Sequence, residues 1–357
     1  MAALRKPPEF EVVERKGNHT SLYYECEPYE GKTTRVFAYL AYPKKAEGRS
    51  PGIVLVHGGG GKAFPEWAQM WAERGYVALA MDLEGHGPDG KTSVEPWPAE
   101  RFALTEVKGM WNYHAVAAVV RGVSLLASLP EVDPKRIGIT GISWGGYLTC
   151  IVAGLDGRLK VAVPVYGCGF IYESSTWIET FRDMPEKQRE TWIANFDPSR
   201  YLPHCKIPVL FVNGTNDGAY FLDAYQRSYR LVRKRTLCVK VNMPHSHPDG
   251  WAPVEIGLFI DHVLKGGEPL ASIRSAKREG TSVEVRFASK TPVEKAALHY
   301  TTDTGPWPQR KWQTIEAKLS RSAASAELPP SRPITYFVTL TDSRGATVST
   351  EHETLGQ

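Results

Sequence analysis

Residues 141–146, Gly-Ile-Ser-Trp-Gly-Gly, place a serine between two glycines in the pattern G-x-S-x-G. The apolar run RIGIT leads directly into the motif and the helical pattern YLTCIVAGL follows it. A strand, a tight turn and a helix are the setting in which such a serine becomes a nucleophile. A side chain at 141 or 145 would crowd the neighbouring strand and helix. The turn pushes Ser143 Oγ into the open and aims the next backbone N–H at a reacting carbonyl.

A serine hydroxyl is a weak nucleophile until a base takes its proton and a third group orients that base. On a strand–turn–helix nucleophile the expected chain order is Ser, acid, His. Asp217 ends VLFVNGTND, just past an apolar strand, and is the candidate acid; its competitor Asp223 falls inside an expected helix. The base comes from NMPHSHPDGW, which offers His245 and His247. A catalytic histidine in such a loop is often followed by a small residue and then an aromatic ring. His245-Ser246-His247 fits that order, so His245 is favoured and His247 is the alternative.

An oxyanion needs two backbone donors. The N–H of Trp144 is one candidate. The run HGGGG, residues 57–61, supplies the other, with Gly59 the first choice and Gly60 the second. Successive glycines let backbone approach a substrate closely. No Lys-Ser/Thr follows at the spacing of a phosphate-binding loop. Trp144, Trp177 and Trp192 are candidates to surround a pocket, with Tyr166 of PVYGCGF beside them. His86 and Asp82 read as loop-fixing residues and His114 as a core histidine. No histidine pair has metal-ligand spacing, so no metal and no cofactor is expected.

The elements that must position these residues are also legible. Between residues 35 and 265, short apolar runs alternate with helical patterns. The runs are VFAYLAY, GIVLVH, YVALAMD, RIGITG, KVAVPVYG, IPVLFVNG and TLCVKVN. Most are continuously apolar, as in parallel strands covered on both faces. FPEWAQMWAERG, residues 107–129 and PVEIGLFIDHVL read as helices. The expected fold is α/β, a doubly wound, mostly parallel sheet. Residues 167–205 carry no strand signal, contain Phe170, Tyr172, Phe181 and two tryptophans, and read as a helical cap inserted over the sheet. After Gly266-Gly267 the pattern changes to short alternating strands, and Asp342-Ser343-Arg344-Gly345 marks a hairpin. The expected division is therefore a catalytic domain over 1–267 and a small β-sandwich, Ig-like, over 275–357.

Composition agrees with a globular enzyme. The 357 residues carry 43 Lys plus Arg against 39 Asp plus Glu, a formal charge of +4. That excess is too small and dispersed for a nucleic-acid partner. The longest apolar stretch is interrupted by Arg121 and too short to span a bilayer, so no membrane partner is expected. Five widely spaced cysteines without a CxxC pair argue against a disulfide framework or a thiolate zinc site. The first residues show no signal-peptide core. The expectation is a cytoplasmic location, or a periplasmic or secreted one if a signal was trimmed.

With these motifs in view, the chain resembles α/β-hydrolases, and within them bacterial dienelactone-hydrolase-like and acetylxylan-esterase-like proteins. LVHGGGG, RGYVALAMDLEGHG, SLPEVDPKRIGITGISWGGY, NGTND and MPHSHPDGW carry the resemblance over residues 35–265. It implies a Ser-His-Asp carboxylester hydrolase without a cofactor. Dienelactone hydrolases proper use a cysteine nucleophile, and the serine at 143 keeps lactone specificity from transferring. The expected substrate is a small-molecule or carbohydrate ester with a short acyl group, acetyl esters of sugars being the suggested case. The alternatives are a serine peptidase or amidase, an acyltransferase that excludes water, and a non-catalytic carbohydrate-binding protein. The triad order argues against the last.

Overall fold

The structure is a computed structural model that describes residues 1–90, 97, 99–102 and 106–356. The first part of the chain forms β1 (Phe10–Lys16), β2 (His19–Glu25), β3 (Arg35–Ala41), β4 (Ser50–Val56), α1 (Pro65–Glu73), β5 (Val77–Met81), α2 (Trp111–Ser128), β6 (Val132–Ile142), α3 (Trp144–Leu155) and β7 (Val161–Val165). Next come α4 (Ile178–Asp183), α5 (Glu186–Phe196), β8 (Val209–Gly214), α6 (Leu222–Arg230), β9 (Arg235–Lys240), α7 (His247–Trp251) and α8 (Val254–Lys265). The nine strands form one sheet in the order β1-β2-β3-β5-β4-β6-β7-β8-β9. Pairing is parallel from β5 through to β9 and antiparallel among β1, β2, β3 and β5. Jumps in this order, with helices on both faces, are what strand–helix alternation produces when every crossover is right-handed.

The central strands are buried along their whole length, as their unbroken apolar runs require. Strands β1 and β2 were not anticipated. The FEVVERK run of β1 is largely exposed at the sheet edge, and its Glu, Arg and Lys hide the strand signal while blunting that edge. Helix α1 begins with Pro65 at its first turn and stops at Gly75, which adopts φ +89°. Helix α8 closes on Gly266 in the left-handed region. No helix among the described residues is long and apolar enough to cross a membrane.

The remaining strands are β10 (Ser272–Glu279), β11 (Ser282–Ala288), β12 (Val293–Thr301), β13 (Gln313–Glu316), β14 (Lys318–Leu319), β15 (Ala323–Glu327), β16 (Ile334–Asp342), β17 (Thr347–Ser349) and β18 (Glu353–Leu355). They build two further sheets, β10-β11-β15-β14 and β13-β12-β16-β17 with β18 also on β16. Gly345 at φ +76° turns β16 into β17, where the hairpin signal placed it. Strands β10, β14, β15 and β18 had no clear signal. They are short or polar and gain their pairing only from neighbours.

These sheets pack on the first one. Phe337 is buried with Leu222 and Val239, and Trp307 and Trp312 flank the contact. The buried Glu255 carboxylate accepts from Lys240 Nζ and from the Thr347 N–H, both at 2.7 Å. A charge without water must be compensated in this way.

Candidate active site

Three loops at the C-terminal ends of β6, β8 and β9 meet on one side of the sheet. Ser143 is the N-cap of α3, with φ +58° and ψ −119°, a conformation that L residues rarely adopt. The glycines around it are forced by space. A Cβ on Gly145 would lie 2.0 Å from the Val56 carbonyl oxygen, and one on Gly141 would lie 2.2 Å from that of Gly145.

His245 Nε2 is 2.9 Å from Ser143 Oγ, and His245 Nδ1 is 2.6 Å from Asp217 Oδ2. A carboxylate only accepts, so Nδ1 carries the proton and Nε2 is left to accept from the serine hydroxyl. Asp217 is buried, and its second oxygen accepts the N–H groups of Ala219 and Tyr220 at 2.9 and 2.7 Å. That leaves Oδ2 aimed at the imidazole. Tyr166 stacks on the His245 ring at 4.4 Å and donates its hydroxyl to the Pro244 carbonyl at 2.5 Å. Asp223 lies apart in α6, where it accepts from Ser174 Oγ.

His247 occupies a different place. Its Nε2 accepts the Gly58 N–H at 2.9 Å, and burial is the main cause that lowers its pKa. His57 beside it accepts the Leu83 N–H at Nε2, 2.8 Å away, and lies 2.6 Å from the Gly58 carbonyl through Nδ1. Burial drives the His57 pKa down to about 4. Both rings are neutral struts for the glycine-rich loop. Within that loop the Gly58 N–H is taken by His247, the Gly61 N–H bonds the Gly58 carbonyl, and the Gly60 N–H faces the Glu84 carboxylate. The Gly59 N–H has no protein acceptor among the described residues. The Trp144 N–H, in the first turn of α3, has no intrahelical acceptor either.

An open groove of about 420 Å³ is lined by residues 99–102, Trp144, which follows Ser143 in sequence, and Trp177. The Trp144 and Trp177 rings are 4.8 Å apart, and Phe102 lies 5.8 Å from Trp144. Two expected pocket residues sit elsewhere. Trp192, on α5, is fully buried against Phe181 of α4, and its indole N–H donates to the Arg101 carbonyl at 2.7 Å. Tyr166 is likewise buried and faces the imidazole rather than the groove. Both rings turn inward because a large apolar face gains more from the core than from solvent.

Arg101 and Phe102 were not anticipated as groove residues. The one available signal was the long connection between β5 and α2, a length that commonly marks a binding loop. The Arg101 guanidinium stacks on Trp111 at 4.2 Å and pairs with Glu84. Asp82 accepts the N–H groups of Glu84 and Gly87, which fixes its turn. His114 is buried against Trp97, as a core histidine. Among the described residues no group of His, Cys, Asp or Glu is arranged to hold a metal ion.

A mostly parallel sheet flanked by helices, with a serine at φ +58° between β6 and α3, defines an α/β-hydrolase fold. Sequence comparison narrows this further. The profile of the acetyl xylan esterase (AXE1) family matches residues 3–184, and the chain belongs to that family of carboxylic ester hydrolases. An acetyl esterase of Xylanibacter ruminicola, Axe7A, is 27% identical over 235 residues, which cover 60% of this chain and 53% of that protein. A putative hydrolase of Bacillus subtilis, YtaP, is 30% identical over 36% of this chain and 47% of its own. The chain thus spans about half the length of these curated relatives. Among solved structures, an acetyl xylan esterase from Paenibacillus sp. R4 is 22% identical with a TM-score of 0.55, covering 69% of this chain and 86% of that one. An acylaminoacyl peptidase from Pyrococcus horikoshii is 20% identical with a TM-score of 0.52, covering 74% and 43%. These two likenesses establish the fold.

Proposed function

We propose that the protein is a serine carboxylester hydrolase acting on short acyl groups, with acetyl esters of carbohydrates as the preferred class. The observation that carries this reading is the hydrogen-bonded line Ser143–His245–Asp217, at 2.9 and 2.6 Å. Ser143 Oγ attacks the ester carbonyl while His245 Nε2 takes its proton. Asp217 stabilises the imidazolium and keeps the ring in the productive tautomer. The N–H groups of Trp144 and Gly59 receive the oxyanion. Collapse breaks the ester C–O bond, and His245 returns the proton to the leaving alcohol. Water, activated by the same imidazole, then hydrolyses the acyl-serine.

The bulky rings of Phe102, Trp144 and Trp177 in the groove support a short acyl group. The same rings offer flat faces to a sugar on the alcohol side. The sheets after Gly267 are read as an Ig-like sandwich appended to a catalytic domain over 1–267; their two-layer arrangement supports this.

The test is labelling with a fluorophosphonate, together with hydrolysis of p-nitrophenyl acetate, p-nitrophenyl octanoate, acetylated xylan and an acyl-peptide anilide. Stoichiometric label on Ser143 and preference for acetyl esters are expected. Preference for the anilide moves the reading to an amidase, and an unlabelled serine removes the triad reading altogether.

A further inference from the structure

Asn216, next to the acid of the triad, is held by the C-terminal sheets. Its Nδ2 faces three carbonyl oxygens of one turn, those of Trp307, Pro308 and Arg310, at 3.4, 3.1 and 2.6 Å. Its Oδ1 accepts from Thr215 Oγ1 at 2.7 Å. The orientation of the amide is therefore unambiguous, because a flipped amide would set oxygen against three oxygens.

The network continues to the base. Thr215 Oγ1 accepts the N–H of Asn242 at 3.0 Å, and the Thr215 N–H donates to the Lys240 carbonyl at 3.0 Å. Asn242, at φ +53°, opens the loop that carries His245. One chain of hydrogen bonds thus joins the acid turn, the base loop and a turn contributed from about 90 residues further along the sequence.

That turn is itself braced. The Arg310 guanidinium lies over the Trp307 indole at 3.7 Å, and its Nε donates to the Gly305 carbonyl at 2.8 Å. Trp307 packs edge-on to His352 at 5.3 Å, and the His352 carbonyl accepts from Gln226 of α6 at 2.7 Å. The acid turn is tied on its C-terminal side, where Asp217 Oδ1 accepts the Ala219 and Tyr220 N–H groups, and more loosely on the side of Asn216. Its internal backbone bond, from the Asp217 N–H to the Gly214 carbonyl, is long at 3.4 Å.

We propose that Asn216 is a positioning residue for the triad, and that the C-terminal sheets form part of the active-site framework through the turn at 307–310. The inference rests on Asp217 and His245 acting as described above. Asn216 touches neither substrate nor the reacting atoms. It acts by fixing where the Asp217 carboxylate and the His245 loop stand relative to Ser143.

The experiment uses the full chain and p-nitrophenyl acetate. Asn216→Ala is expected to lower kcat about 10- to 100-fold with KM unchanged, the scale on which misplaced catalytic groups act. Fluorophosphonate labelling of Ser143 should slow by a similar factor. Arg310→Ala, which loosens the same turn from the other side, should lower kcat in the same direction but less. The double variant should lose less than the product of the two single losses, because both act through one contact. If Asn216→Ala destabilises the fold, Arg310→Ala carries the same comparison of kcat with KM. Wild-type kcat in a folded Asn216→Ala protein, or a loss that only tracks the unfolded fraction, overturns the proposal. Failure of wild-type Ser143 to take the label instead overturns the triad reading, so the two failures are distinguishable.

Discussion

His247 accepts the backbone N–H of Gly58 at 2.9 Å, while its neighbour two residues earlier lies between Ser143 and Asp217. Ser246 separates the two rings and caps α7, so that they diverge: one bonds Ser143 and Asp217 and the other props the glycine loop.

The two histidines should therefore fail differently. His245→Ala should cost roughly 10³ to 10⁶ in kcat, the range for a group that acts as part of a unit with the nucleophile. His247→Ala should keep the triad and lose about tenfold or more through a displaced glycine loop, because oxyanion donors act by their placement. Steady-state kinetics of both variants, with near-wild-type turnover in His245→Ala, would transfer the role.

Ser143 carries backbone strain that its side chain does not relieve. Ser143→Ala and Ser143→Gly should both be inactive, yet the glycine variant should be the more stable by about 1 kcal/mol, since only glycine takes this conformation without cost. Chemical denaturation of the two proteins checks the order. An alanine variant equal to or more stable than the glycine variant counts against strain at this site.

Trp177 and Trp192 should separate along the same line as their surroundings. Trp192→Ala should cost about 3 to 5 kcal/mol of stability, as for a large ring removed from a core, and leave acyl-chain preference alone. Trp177→Ala should cost less stability and shift kcat/KM toward longer acyl chains. A shifted preference in Trp192→Ala with unchanged stability contradicts the burial seen for it.

Stability should fall in mild acid. His57 is held neutral with its pKa lowered to about 4 by burial, whereas in the unfolded chain it titrates near the ordinary value of about 6.5. Between these values the unfolded state binds the extra proton, so stability is full above about pH 6.5 and declines as pH falls toward about 4. The limiting slope is about 1.4 kcal/mol per pH unit for this one group. His299, lowered to about 4 by burial, adds in the same direction. Thermal unfolding across this range measures the slope, and His57→Gln should reduce it. A Tm independent of pH over the window removes the assignment.

The sequence by itself determined the turn at Ser143, the order in which Ser143, Asp217 and His245 follow one another, and the central strands. These are local: glycine spacing sets a tight turn, and unbroken apolar runs mark strands buried on both faces. The helical stretch between β7 and β8 and the start of the β-rich tail were legible for the same reason, as changes in pattern along the chain. Tertiary structure decided what depends on distant partners. Only the approach of Gly58 separated His247 from His245, and only the Glu84 carboxylate facing the Gly60 N–H distinguished Gly60 from Gly59, whose N–H has no acceptor among the described residues. Trp192 and Tyr166 have the composition of pocket residues, but packing against Phe181 and against the imidazole turned them inward. β1 is a strand because it pairs along the sheet edge, and its charged residues gave no period to read; β2 is mostly buried between β1 and β3 and takes its place from that pairing. The bond between Asn216 and the turn at 307–310 spans more than 90 residues, a separation at which no local pattern can report a contact.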